Sequence, residues 1–313
     1  MTHETAVCFA ADLGGTKLAA ALADAHGRIV AERTEPTDPR GAAAVAEQLG
    51  ACAATLAQSA GLEVTRVRQV LVGIPGAVDP RTGRISLVPN IPGLEAFDLL
   101  GYLRGRYGCE VTLENDVNLA MLGEHALGCA RECRNAAFLA LGTGTGLGLL
   151  VDGRLFRGAH GAAGEIADLP IAHDPSAQVL SAAGTFELEV GSLAIVERYR
   201  RQGGTAARTV RDIFGRLEQG DAVAASVLDA TARWVAHAVV TLQSLLDLEL
   251  IVLGGSIGVR PELYERVRRA LPGLFARPVA IAPRELGDRA GLVGAAWAAA
   301  NAFRQRERIA AAG

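Results

Sequence analysis

The sequence predicts an α/β protein of two domains with similar topology, arranged around a cleft. Three observations carry that prediction. Apolar segments of strand length alternate with longer stretches whose Ala, Val and Leu recur at helical spacing. The order strand, Gly-rich turn, strand, turn, strand occurs over Ala6–Ala31 and again over Ala136–Phe156. The two copies lie too far apart for a solenoid, whose repeats run about 20–50 residues, so they mark two like domains whose Gly turns face each other.

In order, Ala6–Ala11 is a short apolar run ending in Asp12-Leu13-Gly14-Gly15-Thr16-Lys17. Leu18–Ala23 returns as a second strand, Asp24-Ala25-His26-Gly27 turns, and Ile29–Ala31 is a third. Gly41–Ala60 has helical periodicity, and Val67–Ile74 is a buried-strand run. Val111–Leu113 is a short strand leading into Glu114-Asn115-Asp116, with a helix predicted over Val117–Leu127. The second copy comprises Ala136–Leu141, the turn Gly142-Thr143-Gly144-Thr145-Gly146, Leu147–Val151, the turn Asp152-Gly153 and Arg154–Phe156. A long helix over Asp221–Leu246, a strand over Leu250–Leu253 ending in Gly254-Gly255-Ser256, and a closing helix over Gly291–Phe303 complete the series.

Composition narrows the function. The 313 residues carry 31 Lys+Arg and 34 Asp+Glu, a formal net charge of −3, and half are hydrophobic, which excludes a disordered chain. No basic segment is present to drive counterion release from a nucleic-acid backbone, so no nucleic-acid partner is expected. Charged residues, Gly and Pro interrupt the apolar stretches, and Met1–Thr5 has no basic segment leading into an apolar one; no membrane partner is expected, and the cytoplasm is the expected compartment. Five scattered cysteines read as reduced thiols. Cys129 and Cys133 are four apart, without a second Cys/His pair to complete zinc.

Glycine turns let backbone N–H groups approach a phosphate, and tight hairpins need them too. The chain's only lysine, Lys17, does not follow G-x-x-x-x-G, which rules out a P-loop, and Gly142–Gly148 leads into a strand where a dinucleotide fingerprint needs a helix. Asp12, at a strand end beside such a turn, suits either Mg²⁺ with a nucleotide or simple turn capping. Glu114-Asn115-Asp116, where a strand feeds a helix, suits either an N-cap or a base that takes a proton from a hydroxyl during phosphoryl transfer. His125 is spaced along its helix as a packed or capping residue.

These residues resemble the ROK kinases, bacterial sugar kinases with repressor relatives, built on the actin-like ATPase (ribonuclease H-like) fold. The resemblance runs from Asp12–Lys17 through Gly73-Ile74-Pro75-Gly76, Asp79 and Pro89-Asn90-Ile91-Pro92-Gly93 to Leu113–Ala120, Gly142–Gly148, Gly161–Ile166 and Gly254-Gly255-Ser256. It implies ATP-dependent phosphorylation of a hexose, glucose at its 6-hydroxyl, with Asp116 as base. It implies Gly76, Asn90, Asn115, Glu165 and Glu187 at the other sugar hydroxyls, with Asp168 beside them. Asp12, Gly14, Gly15, Thr16, Lys17, Thr143, Gly144, Gly254 and Gly255 would surround ATP and Mg²⁺. Fructose, N-acetylglucosamine or N-acetylmannosamine as acceptor, polyphosphate as donor, and a sugar-sensing regulator that does not bind DNA are the alternatives.

Family members commonly hold structural zinc through a His and three Cys. Here Asp168 stands at the His position, and Gln178, Leu180 and Thr185 stand at the Cys positions, so no zinc is expected and a staple on the sugar loop is lost. Leu94 replaces a frequent Trp, and His173 is a stray loop histidine. The resemblance also implies a homodimer, with a smaller domain of 1–117 plus 290–313 and a larger one of 118–289.

Overall fold

A computed structural model describes residues 6–88, 90–171, 184–205 and 207–312. Pro89, His173, Gln178 and Leu180 lie outside the described residues.

The first part of the chain forms β1 (Val7–Leu13), β2 (Lys17–Ala23), β3 (Ile29–Pro36), α1 (Ala42–Ser59), β4 (Val67–Ile74), β5 (Ala77–Val78), β6 (Ile85–Ser86), α2 (Leu99–Tyr107), β7 (Glu110–Asn115) and α3 (Asp116–Leu127). Next come β8 (Ala136–Leu141), β9 (Thr145–Val151), β10 (Arg154–Leu155), α4 (Glu187–Val190), α5 (Ser192–Arg201), α6 (Val210–Glu218) and α7 (Ala222–Leu246). The chain closes with β11 (Leu250–Gly254), α8 (Gly255–Gly258), α9 (Pro261–Ala270), β12 (Ile281–Pro283) and α10 (Ala290–Ala312).

The chain divides into two compact units, Met1–Arg131 with Leu155–Ala163 and Leu286–Gly313, and Glu132–Arg154 with Gly164–Glu285. This division differs from the sequence expectation of boundaries at 117/118 and 289/290. The reason lies in α3, which packs along α10 and so stays with the first unit. Gly123 and Gly294 make that packing possible: a Cβ on either would collide with backbone of the other helix. The segment 155–163 also belongs to the first unit, and that unit is the longer of the two.

In the first unit the sheet order is β3-β2-β1-β4-β7, with β1–β2 and β2–β3 antiparallel and β1–β4 and β4–β7 parallel. Side chains alternate across β1: Val7, Phe9, Ala11 and Leu13 pack with α1 and α2, and Cys8 and Ala10 pack with α3 and α10. Both faces of the strand are therefore covered, as the apolar run Val7–Ala11 requires. The strand β3 runs to Pro36, past the predicted end at Ala31, because its polar residues Glu32–Glu35 lie on a sheet edge.

The second unit repeats the topology in the order β10-β9-β8-β11-β12. Again the first pair is antiparallel, and β8–β11 and β11–β12 are parallel. Ala137, Leu139 and Leu141 of β8 pack into one core with α5, α6, α7 and α9. Among the described helices, only α7 is long and apolar enough to cross a membrane; the buried Val227, Leu228, Val235 and Val239 place it in that core.

Candidate functional site

In the first unit, strand register places Asp12 of β1 level with Gly73 of β4, and Gly73 level with Glu114 of β7. This row lies at the carboxyl ends of parallel strands, the position at which open α/β sheets bind ligands. Gly73 matters for what lies above it: a Cβ there would meet the Leu119 side chain at 2.5 Å, so glycine lets the first turn of α3 sit on β4.

Asp12 is half-buried, and burial pushes its carboxyl up to about 6 against the opposing pull of Lys17. Its carboxylate lies in the space a side chain on Gly291 would take, in the first turn of α10. The turn that follows is held at both ends. Gly14 N–H donates to Lys17 O at 2.9 Å, and Thr37 donates its hydroxyl to Gly14 O at 2.7 Å and its N–H to Thr16 O at 3.1 Å. Gly15 backs onto Asn90, whose Cβ would be 2.6 Å from a Cβ on the glycine. The structure thus brings Asn90, expected at the sugar, against the turn expected at the phosphates. Thr16 and Lys17 are exposed on that turn.

At the β7–α3 junction the N-cap alternative is met by Asn115. Its Oδ1 accepts from Asn118 N–H at 2.9 Å, and its Nδ2 donates to Gly76 O at 3.1 Å. Asp116 is then the first residue of α3, where the helix dipole favours a carboxylate; its Oδ1 accepts from Val117 N–H at 2.8 Å. Beneath them Glu114, 4% exposed, accepts from Asn115 N–H at 3.0 Å, Asn118 Nδ2 at 2.8 Å and Arg157 Nε at 2.6 Å. His125 behaves as its spacing predicts, with Nδ1 3.2 Å from Ala130 O and its ring edge-on to Trp297.

In the second unit, Thr143 and Gly144 lie on the β8–β9 turn, closed by Gly142 N–H donating to Gly144 O at 3.0 Å. Glu187, expected at a sugar hydroxyl, has its carboxylate on this turn: Oε2 accepts from Thr145 N–H at 2.7 Å and Thr145 Oγ1 at 3.3 Å. Gly255, at the end of β11, has φ +73° with its Cα against Leu141 O, a position that admits only glycine. Gly254 packs against the Phe138 ring.

Glu165 and Asp168 bracket one turn of 3₁₀ helix over Ile166–Asp168. The Glu165 carboxyl is raised by burial and, secondarily, by the Asp168 charge. This loop is tied to the segment before α4 by Phe186 N–H donating to Ala167 O at 2.9 Å and Thr185 Oγ1 donating to Leu169 O at 2.8 Å. The hydroxyl at one expected zinc-ligand position therefore makes a staple of its own. Sequence reading missed Arg157, Asn118, Thr37 and Gly291; for Arg157, Thr37 and Gly291 the roles rest on contacts between segments distant in the chain, which spacing does not display, whereas Asn118 bonds within four residues of itself.

Residues 8–302 match the family described as ROK. The chain belongs to the ROK family. An N-acetylmannosamine kinase from Yersinia pseudotuberculosis is 32% identical over 302 residues, covering 93% of this ROK chain and 98% of the relative. Among solved structures, a ROK hexokinase from Thermus thermophilus matches with TM-score 0.80 and 31% identity, over 96% of this chain and 99% of that one. A ROK family glucokinase from Streptomyces griseus, in complex with glucose and AMPPNP, matches with TM-score 0.75 and 28% identity, over 94% and 99%. The fold is the actin-like ATPase fold of the ROK sugar kinases.

Proposed function

We propose that this ROK protein is a sugar kinase that transfers the γ-phosphoryl group of ATP to a hexose hydroxyl, that of glucose at position 6, with Asp116 as general base. The observation that carries the reading is the row of strand ends in the first unit, with Asp12 on β1 and Asp116 at the start of the helix after β7. One carboxylate beside a glycine turn and a second at a helix start are the two acidic groups that phosphoryl transfer to an alcohol needs. The S. griseus glucokinase holding glucose and AMPPNP supports both substrates, and the Yersinia relative supports N-acetylmannosamine as the acceptor to test beside glucose.

In this reading the nucleotide-binding roles fall to Gly14–Lys17 in the first unit and to Thr143, Gly144, Gly254 and Gly255 in the second. The sugar-binding roles fall to Asn90, Asn115 and the backbone at Gly76 in the first unit and to Glu165, Asp168 and Glu187 in the second, and Asp116 receives the proton of the attacking hydroxyl. Asp12 suits Mg²⁺: its carboxyl is held up near 6 by burial despite Lys17, and a single carboxylate leaves the remaining positions to water and phosphate oxygens, as Mg²⁺ prefers. When bound, the ion supplies charge neutralisation to the phosphates. Zinc does not fit the donor set at 168, 178, 180 and 185, which is Asp, Gln, Leu and Thr.

The deciding experiment is a coupled ADP-release assay with ATP and Mg²⁺ against glucose, fructose, mannose, N-acetylglucosamine and N-acetylmannosamine, with Asp116→Asn as control. Turnover with one sugar, lost in the variant, supports the reading and names the substrate. Sugar binding seen as a rise in Tm without turnover on any sugar rejects it in favour of a sensor.

A further inference from the structure

The buried carboxylate of Glu114 and the guanidinium of Arg157 lie 43 residues apart and are joined at 2.6 Å. Arg157 comes from the segment Leu155–Ala163, a short excursion of the chain into the first unit between two stretches of the second. That segment is also seated at its other end. Gly161, at φ +79°, has its Cα against Val78 O, so tightly that no Cβ fits between them.

These contacts form a ring. Arg157 grips Glu114 Oε2; Glu114 Oε1 holds Asn115 N–H and Asn118 Nδ2; Asn115 Nδ2 donates to Gly76 O. Gly76 leads through Ala77 to Val78, and Val78 O meets Gly161, four residues after Arg157. The ring closes around the N-terminus of α3, where Asp116 sits between two of its members. A carboxylate only 4% exposed is costly unless its charge is compensated, and among the described residues the compensating cation is Arg157. Without it the two bonds from Glu114 that set the start of α3, to Asn115 N–H and Asn118 Nδ2, would be made by an uncompensated buried charge.

We infer that Arg157 and Glu114 are positioning residues for the phosphoryl-transfer reaction, which through Asn115 and Asn118 fix the start of α3 and so the direction of the Asp116 carboxylate. This rests on the kinase reading above. The guanidinium acts at a distance from the acceptor: it fixes the backbone that carries the base, and a base displaced by about 1 Å costs on the order of 100-fold in rate. Charge alone is not enough, because the grip is made by Nε of a planar guanidinium that an ammonium does not reproduce.

The test compares Arg157→Met, Arg157→Lys and the double variant Glu114→Gln/Arg157→Met, each checked for a cooperative thermal transition above the assay temperature. Arg157→Met is expected to lower kcat by about 10-fold to 100-fold while KM for ATP stays within about twofold. Arg157→Lys is expected to recover part of kcat, and the double variant to recover part of the lost Tm by removing the stranded charge. A folded Arg157→Met protein with wild-type kcat would overturn the inference. Amide exchange keeps this outcome separate from failure of the kinase reading. Exchange at Asn115 and Asn118 is expected to quicken at least about tenfold in Arg157→Met whatever the substrate. Unchanged exchange overturns the ring; absence of turnover in the wild-type protein overturns only the activity.

Discussion

The carboxylate of Asp12 occupies the space into which a side chain on Gly291 would project. A strand end and the first turn of α10 are thereby fitted to each other through a missing methyl group. Gly291→Ala puts that methyl back against the movable end of Asp12, so the carboxylate yields before the helix does. Within a helix the same change is favourable by about 1 kcal/mol. Activity is therefore expected to fall on the order of 100-fold while Tm holds or rises, read by the coupled assay and a thermal melt. Wild-type turnover in the variant would show that the placement of Asp12 does not depend on this contact.

Asp12 also carries a signature in pH. Burial raises its carboxyl from an ordinary 3.8 to about 6, so between these values the folded protein binds more protons than the unfolded one. Stability without nucleotide must then fall as pH rises from about 4 to about 6, and stay lower above. Asp12→Asn removes the ionising group, and the variant is expected to be more stable than the parent at pH 7.5 by about 1–3 kcal/mol and to lose that slope. Urea melts across this pH range check it; a destabilised variant at pH 7.5 contradicts it. Loss of kinase activity in the same protein would show a functional group kept at a cost in stability.

Much of the fold is legible in the sequence because strands covered on both faces need long apolar runs, and β1 has one over Val7–Ala11, β4 over Val70–Ile74 and β8 throughout. The two hairpins with their glycine turns follow from the same text. The end of β3 does not, since Glu32–Glu35 lie on a sheet edge that tolerates polar side chains and so break the apolar run. Nor does the site emerge whole. Asn115 and Asp116 share three letters of sequence with two plausible uses, and only geometry separates the capping amide from the helix-start carboxylate. Arg157 carries no local pattern at all; its meaning depends on Glu114, which the topology brings to it.

The pairing of Glu165 with Asp168 predicts a further pH effect. Burial and then the Asp168 charge hold the Glu165 carboxyl above its ordinary range, and a protonated Glu165 accepts fewer bonds from sugar hydroxyls. Asp168→Asn removes the like charge, so the Glu165 proton is lost at lower pH. The acid limb of the kcat/KM profile for the sugar is expected to move to lower pH, and the shift to shrink at high salt because Asp168 is exposed. An acid limb that moves upward, or not at all, rules out the pairing as a determinant of sugar binding.

Thr185 stands at a position where the family resemblance implies a zinc-binding cysteine, and its hydroxyl ties the segment before α4 to Leu169 O, one residue past Asp168. If a hydrogen bond serves here where a metal serves elsewhere, removing it should loosen the Glu165–Asp168 loop without emptying the core. Thr185→Val keeps the shape and leaves Leu169 O to water or to nothing, at a cost of about 1 kcal/mol in stability. The larger expected effect is on the sugar: KM should rise about threefold to tenfold with kcat little changed, because the loop is still able to close on bound substrate but spends binding energy to order itself. Thr185→Ser, which keeps the hydroxyl, should behave as the parent. Equal sugar KM values in the valine and serine variants would mean that the backbone bond from Phe186 to Ala167 holds the loop unaided.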